Sequence, residues 1–184
     1  MCARPTAKRC ARYAEATIIS PEAPARPDLS FVWRHPAHVI AFGGGAGLVP
    51  GAPGTAGTLL AFPVYWGLAL VCPLPILLAL IALGFGAGIW ACGRTGRALG
   101  AADHGGIVWD EIIAFMLVLV FTPAGVLWQT FAFLLFRLFD ILKPPPIGYF
   151  DRKWKNGFGV MFDDILAAGY ALLLLAVAKK LLLG

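Results

Sequence analysis

The 184-residue chain is short of charge: Asp, Glu, Lys and Arg make up only 14% of it, and 59% is hydrophobic. A soluble domain of this size carries about 25% charge, so this composition points to a protein seated in a membrane. Acids are scarcest of all, and none occurs between residues 29 and 102. Glu15, Glu22 and Asp28 lie in the N-terminal stretch, and the other seven fall between 103 and 164. Solvation alone would scatter acids over every exposed turn, so this clustering suggests a site. Cysteine is sparse as well. Cys2, Cys10, Cys72 and Cys92 form no CxxC pair and no disulfide framework. Basic residues are sparse and not expected to be interleaved with exposed aromatics, which argues against nucleic-acid binding. The net charge of +5 suits an anionic lipid surface instead. No strand-period alternation is present, so the fold expected is all-α.

Residues 1–34 read as a flexible basic tail with no apolar signal core, followed by a helical membrane domain over 35–184. The apolar stretch from Thr58 to about Gly93 is broken at "CPLP" (72–75). That leaves segments of about 14 and 16 residues, roughly 21 and 24 Å as helices against a hydrocarbon core of about 30 Å, each short for a full span. A second hairpin is expected to run from Glu111 to Phe121, turn at "TPAG" (122–125), and return from Val126 to Leu142, where "KPPP" stops it. A last helix is expected from Asp163 to Leu183. With the turn, Asp110 and Asp140 come to the same side of the membrane, together with Arg94, Arg97, Arg137, Lys143 and Arg152. The positive-inside bias makes that side cytoplasmic. The architecture is thus a compact membrane-embedded helical bundle of short helices and hairpins, with the site at their cytoplasmic ends.

"DHGGIVWDEII" places Asp103, Asp110 and Glu111 directly before an apolar run. Capping of a helix N-terminus accounts for one or two of these acids; ligation of a cation accounts for all three. In "FRLFDILKPPP", Arg137, Asp140 and Lys143 follow at intervals of three, which suits either an ion-pair ladder or a metal ligand flanked by two phosphate-binding cations. Asp163 and Asp164 stand at the expected start of the last helix, where only one of them can cap. Six carboxylates without companion thiolates favour Mg²⁺ or Mn²⁺ over zinc. "FGGGAGLVPGAPGTAGT" (42–58), with Thr55 and Thr58, is either a phosphate cradle or a plain turn and cap. It is no P-loop, because the chain contains no Gly-Lys pair. His35 and His38 read as polar residues at a helix entry, and Gly86, Gly88 and Ala91 as a helix-packing face. Cys92 and Arg97 are separated by four residues, one fewer than cysteine phosphatases need.

Taken together and in order, "GLVPGAPGTAGTL", "DHGGIVWDEI", "FRLFDILKPPPI" and "GFGVMFDDILAAG" resemble the bacterial phosphatidylglycerophosphatase A family, over about residues 36–180. The departures are the longer tail and the "GGG" at 43–45. The resemblance implies an Mg²⁺-dependent inner-membrane enzyme of phospholipid biosynthesis. It would remove the terminal phosphate of phosphatidylglycerophosphate to give phosphatidylglycerol, a precursor of cardiolipin. It implies Asp103, Asp110, Glu111, Asp140, Asp163 and Asp164 as metal ligands, all but Asp163 also as catalytic residues. Thr55, Thr58, Arg97, Arg137 and Lys143 would bind phosphate, and Ala52, Pro53, Gly54 and Thr55 match the family's Ala-Pro-Gly-Thr box. Two alternatives remain: a phosphatase of another lipid phosphate such as phosphatidic acid, and a cation transporter, for which internal repeats are expected and not found.

Overall fold

A computed structural model describes residues 27–183. Its regular elements are all helical: α1 (Leu29–Trp33), α2 (Pro36–Ala41), a 3-10 segment (Gly43–Leu48), α3 (Pro53–Val71), α4 (Leu74–Leu99), α5 (Trp109–Phe121), α6 (Val126–Leu142), α7 (Ile147–Lys153) and α8 (Gly157–Leu183). The charges and cysteines of residues 1–26 lie outside the described residues. The end of the expected tail is helical: Asp28 starts α1 by accepting a hydrogen bond from Phe31 N at 2.8 Å.

Three helices are longer than the apolar runs that announce them. α3 starts at Pro53, inside the Gly/Pro loop, because proline's fixed φ and missing N–H suit the first helical position. α4 runs through Gly93–Arg97 to a left-handed Gly100 (φ 70°), where Ala101 N closes back on Gly96 O at 3.0 Å. Polar residues end a hydrophobic run without ending the helix. The two helices therefore hold 19 and 26 residues, about 28 and 39 Å, and the expectation of two short segments is overturned. α8 likewise begins at Gly157, with Asn156 Oδ1 accepting from Gly159 N at 2.9 Å. Asp163 and Asp164 thus lie in its second turn, and neither caps it. All three helices are long and apolar enough to cross a membrane.

The expected hairpin is present: α5 and α6 have 13 and 17 residues, and Gly125 (φ 118°) ends the turn between them. At about 20 and 26 Å they fall short of the hydrocarbon core. α5 is buried on nearly every side, with Ile112–Met116, Val118 and Leu119 all inside. It packs against α3, α4 and α8, and α8 in turn packs against α4, α6 and α7. Close crossing of α4 and α8 depends on glycine: a Cβ on Gly157 would overlap Ile89 O and come within 2.7 Å of Gly93 N. Gly88 meets Met161 and Trp109 in the same way, whereas Gly86 faces open space. Leu70, Leu83, Leu127 and Leu134 point outward, as side chains facing lipid do.

Candidate active site

The starts of α3, α5 and α8 and the ends of α4 and α6 meet at one end of the bundle. The closest approach is between α3 and α5. A Cβ on Gly54 would overlap Glu111 Oε1, lie 2.8 Å from its Cδ and 3.0 Å from Arg137 Nη2. A Cβ on Gly57 would lie 2.7 Å from Val108 Cβ and 3.1 Å from Glu111 Oε2. The glycines of this stretch therefore admit a carboxylate against the helix backbone. Thr58 ties the turn by donating to Gly54 O at 2.9 Å.

Two cations organise the acids. Arg137 Nη1 donates to Glu111 Oε1 at 2.9 Å, to Asp140 Oδ2 at 2.6 Å and, more weakly, to Thr58 Oγ1 at 3.4 Å. Lys143 pairs with Asp163, with Asp151 at 3.1 Å and with Asp103 at 3.9 Å. The expected ladder thus forms only in its Arg137–Asp140 half, and Lys143 turns away to α7 and α8. Its backbone is left-handed (φ 42°), a conformation rare outside glycine, and the following Pro144 disfavours the helical alternative. Burial works against the Lys143 ammonium, but Asp163, Asp103 and Asp151 outweigh it and raise its pKa, which keeps it charged. Burial also pushes the Asp151 carboxyl up, yet Lys143 and Lys155 hold it below its ordinary value.

Asp110 and Asp164 are deeper, at 7% and 3% exposure. Asp164 lies within coulombic reach of Asp140, Asp110, Asp163 and Glu111. Four buried carboxylate oxygens, Asp110 Oδ1, Glu111 Oε2, Asp163 Oδ1 and Asp164 Oδ2, have no hydrogen-bond partner among the described residues. Leaving such groups unsatisfied is costly, and oxygen-only donors are those that hard divalent cations take. The fit is one of donor chemistry. As the side chains stand, no group of three or more His, Cys, Asp or Glu among the described residues could hold a metal ion, because Glu111, Asp140, Asp163 and Asp103 are drawn toward Arg137 and Lys143.

Asp110, Glu111, Asp140, Asp163 and Asp164 are thus brought together with Arg137, Lys143 and Thr58. Asp103 joins from the loop before α5, half-exposed rather than on the helix. That loop is held by Gly106 N donating to His104 Nδ1 and Val108 N to Ala41 O. Thr55 lies in the first turn of α3, and its side chain makes no hydrogen bond among the described residues. Arg97 is not in the cluster: it makes no ion pair among the described residues and lies by the α4–α8 junction. Asp151 belongs to the site and was not singled out from the sequence; its spacing of four from Lys155 was the available signal. His35 caps α2 and His38 bonds Thr95 Oγ1 at 2.9 Å, so both are structural. Cys72 and Cys92 are free.

Comparison with known proteins identifies the family. The family model described as phosphatidylglycerophosphatase A matches residues 39–179. A Haemophilus influenzae protein named phosphatidylglycerophosphatase A is 46% identical over 140 residues, 76% of this chain and 86% of that protein. An Escherichia coli protein of the same name is 42% identical over 135 residues, 72% of this chain and 77% of its own length. A Bacteroides thetaiotaomicron protein named putative phosphatidylinositol-3-phosphatase is 39% identical over 148 residues, covering 77% of this chain and 92% of that protein. No solved structure matches. With a family model spanning most of the chain and relatives this similar, the chain belongs to the phosphatidylglycerophosphatase A family of membrane lipid phosphatases.

Proposed function

We propose that this chain hydrolyses the terminal phosphomonoester of phosphatidylglycerophosphate to phosphatidylglycerol and phosphate, at the cytoplasmic face of a bacterial inner membrane, with Mg²⁺ as cofactor. The observation that carries this reading is the set of four buried, unpartnered carboxylate oxygens beside Arg137 and Lys143 at one end of the bundle. Asp103, Asp110, Glu111, Asp140, Asp163 and Asp164 would hold the ion. When bound it would supply neutralisation of phosphoryl charge and a lowered pKa for an attacking water. Arg137 and Lys143 face the same end and would take phosphate oxygens, the first through its planar fork and the second as a point charge. Hydrolysis joins the water oxygen to phosphorus, breaks the phosphorus–oxygen bond to the glycerol, and leaves that oxygen as an alcohol after it gains a proton. Gly54 and Gly57 keep α3 close against Glu111 and so fix where that carboxylate stands.

A headgroup phosphate at the water interface, with acyl chains remaining in lipid, suits a site at helix ends. A transporter would instead carry its acids near mid-membrane. Arg94, Arg97, Arg152, Lys153 and Lys155 also lie at this end, which supports a cytoplasmic orientation. The test is phosphate release in detergent micelles from phosphatidylglycerophosphate, phosphatidic acid and phosphatidylinositol 3-phosphate, each with Mg²⁺ and with EDTA. Metal-dependent release that favours phosphatidylglycerophosphate is expected. Preference for another lipid would reassign the substrate, and release that persists in EDTA would remove the metal.

A further inference from the structure

Beside the carboxylates, where the end of α4 meets the start of α8, lies a cavity of about 320 Å³ whose lining includes Gly93, Gly96, Arg97, Lys155, Asn156 and Gly157. Among the described residues, two cations line it and no acid does. The α4 carbonyls that would otherwise face it are tied down: Gly100 N and Ala101 N donate to Arg97 O and Gly96 O. Asn156 uses its Oδ1 on Gly159 N, which leaves its amide hydrogens to donate elsewhere. The start of α8, a helix of 27 residues, adds its positive dipole end. The two cations, the Asn156 amide and the start of α8 favour an anion, while the capped end of α4, the negative end of its dipole, opposes one less than open carbonyls would.

Two neighbours flank the cavity, the groove being separated from it by the contact of Gly157 with Ile89 and Gly93. On one side Lys155 pairs with Asp151 at 3.4 Å, Asp151 accepts from Lys143 at 3.1 Å, and Ala102 of the lining precedes Asp103. On the other, Phe158 follows Gly157 into an apolar groove of about 430 Å³ along the same α4–α8 seam, lined also by Ile81, Phe85, Phe162 and Ile165. Phe85 lies eight residues before Gly93 on α4, about 12 Å nearer the membrane centre. A basic pocket above an apolar groove, next to a phosphomonoester site, is the layout a two-phosphate lipid requires.

We propose that Arg97, Lys155 and Asn156 bind the phosphodiester of the substrate, the group that joins its acylated glycerol to the headgroup, with an acyl chain in the groove below. The proposal rests on the hydrolysis reading above and deepens it. It assigns Arg97 to the second phosphate rather than to the reacting one. It also explains how a phosphatidylglycerophosphate is told from phosphatidic acid, which has a phosphomonoester and no diester.

The products separate the two halves of the site: phosphatidylglycerol carries only the diester, and inorganic phosphate mimics only the monoester. In the double variant Arg97→Gln/Lys155→Gln, KM for phosphatidylglycerophosphate should rise roughly tenfold or more, the loss expected for charge-assisted hydrogen bonds, with kcat nearly constant. Inhibition by phosphatidylglycerol should weaken by a similar factor, and inhibition by inorganic phosphate should stay. Equal weakening of both inhibitors, or an unchanged KM, overturns the assignment. Arg97→Lys/Lys155→Arg keeps both charges and should restore KM; failure to do so, in folded protein, would make the role structural and also overturn it. Should the wild type release no phosphate at all, the hydrolysis reading fails separately. Direct binding of phosphatidylglycerol in nanodiscs, wild type against double variant, then still decides the pocket: weaker binding by the variant supports it and equal binding overturns it.

Discussion

Gly54→Ala places a single methyl group where the site is tightest. The new Cβ would overlap Glu111 Oε1 and stand 2.8 Å from its Cδ, where ordinary contact begins at 3.4 Å. Glu111 must therefore move by at least about 0.6 Å, the difference between those two distances, and further at Oε1. It cannot simply swing aside, because Arg137 Nη1 holds Oε1 and Nη2 lies 3.0 Å from the same Cβ. A displacement near 1 Å at a reacting centre costs on the order of 10²-fold in rate. Stability should change much less. Overpacking costs about 1–3 kcal/mol, and replacing glycine by alanine in a helix returns up to about 1 kcal/mol. The expectation is kcat/KM for phosphate release down by roughly 10²-fold, with a melting temperature lower by only a few degrees. Full activity at an unchanged melting temperature would mean that Glu111 does not lie against Gly54, and the site built around that contact would be wrong.

Asp110→Asn should abolish phosphate release while the detergent-solubilised protein stays folded and monodisperse by gel filtration; retained turnover would remove Asp110 from the chemistry. Arg137→Gln leaves Glu111 and Asp140 without their cation, so thermal unfolding should show a loss of about 3–5 kcal/mol, the usual cost of breaking a buried pair. An unchanged midpoint would show that the two carboxylates are satisfied in another way. Gly157→Ala should weaken the α4–α8 crossing, since its Cβ would overlap Ile89 O, and lower the melting temperature without changing the metal requirement. Mg²⁺ should raise the melting temperature of the wild type and not that of Asp110→Asn; equal shifts in both would place the ion elsewhere.

Much of the site is legible in the chain because its acids sit in short boxes at helix ends, and helical spacing is local. The hairpin at 122–125 could be inferred for the same reason: apolar length and the Pro/Gly break are properties of adjacent residues. The bounds of α3, α4 and α8 could not, because a hydrophobic run stops at its last apolar residue, whereas a helix stops where its backbone is capped. Asp163 and Asp164 moved from an expected cap to a second turn on that account, with Asn156 doing the capping. Asp151 was missed because it belongs to the site only through Lys143, across a turn and onto another helix.

Composition and local pattern determined by themselves that this chain is all-helical, seated in a membrane, and supplied with a cluster of carboxylates at helix ends. Those follow from apolar content, from period, and from the cost of placing charge in lipid. Tertiary structure alone decided which cation serves which acid. Arg137 takes Glu111 and Asp140, and Lys143 takes Asp163, Asp151 and Asp103. It also decided that Arg97 faces a separate pocket with Lys155, that Gly54 leaves room for Glu111, and that Gly57 leaves room first for Val108 and then for Glu111. Those pairings cross between helices far apart in the chain, so they depend on how the helices pack and not on the spacing within any one of them.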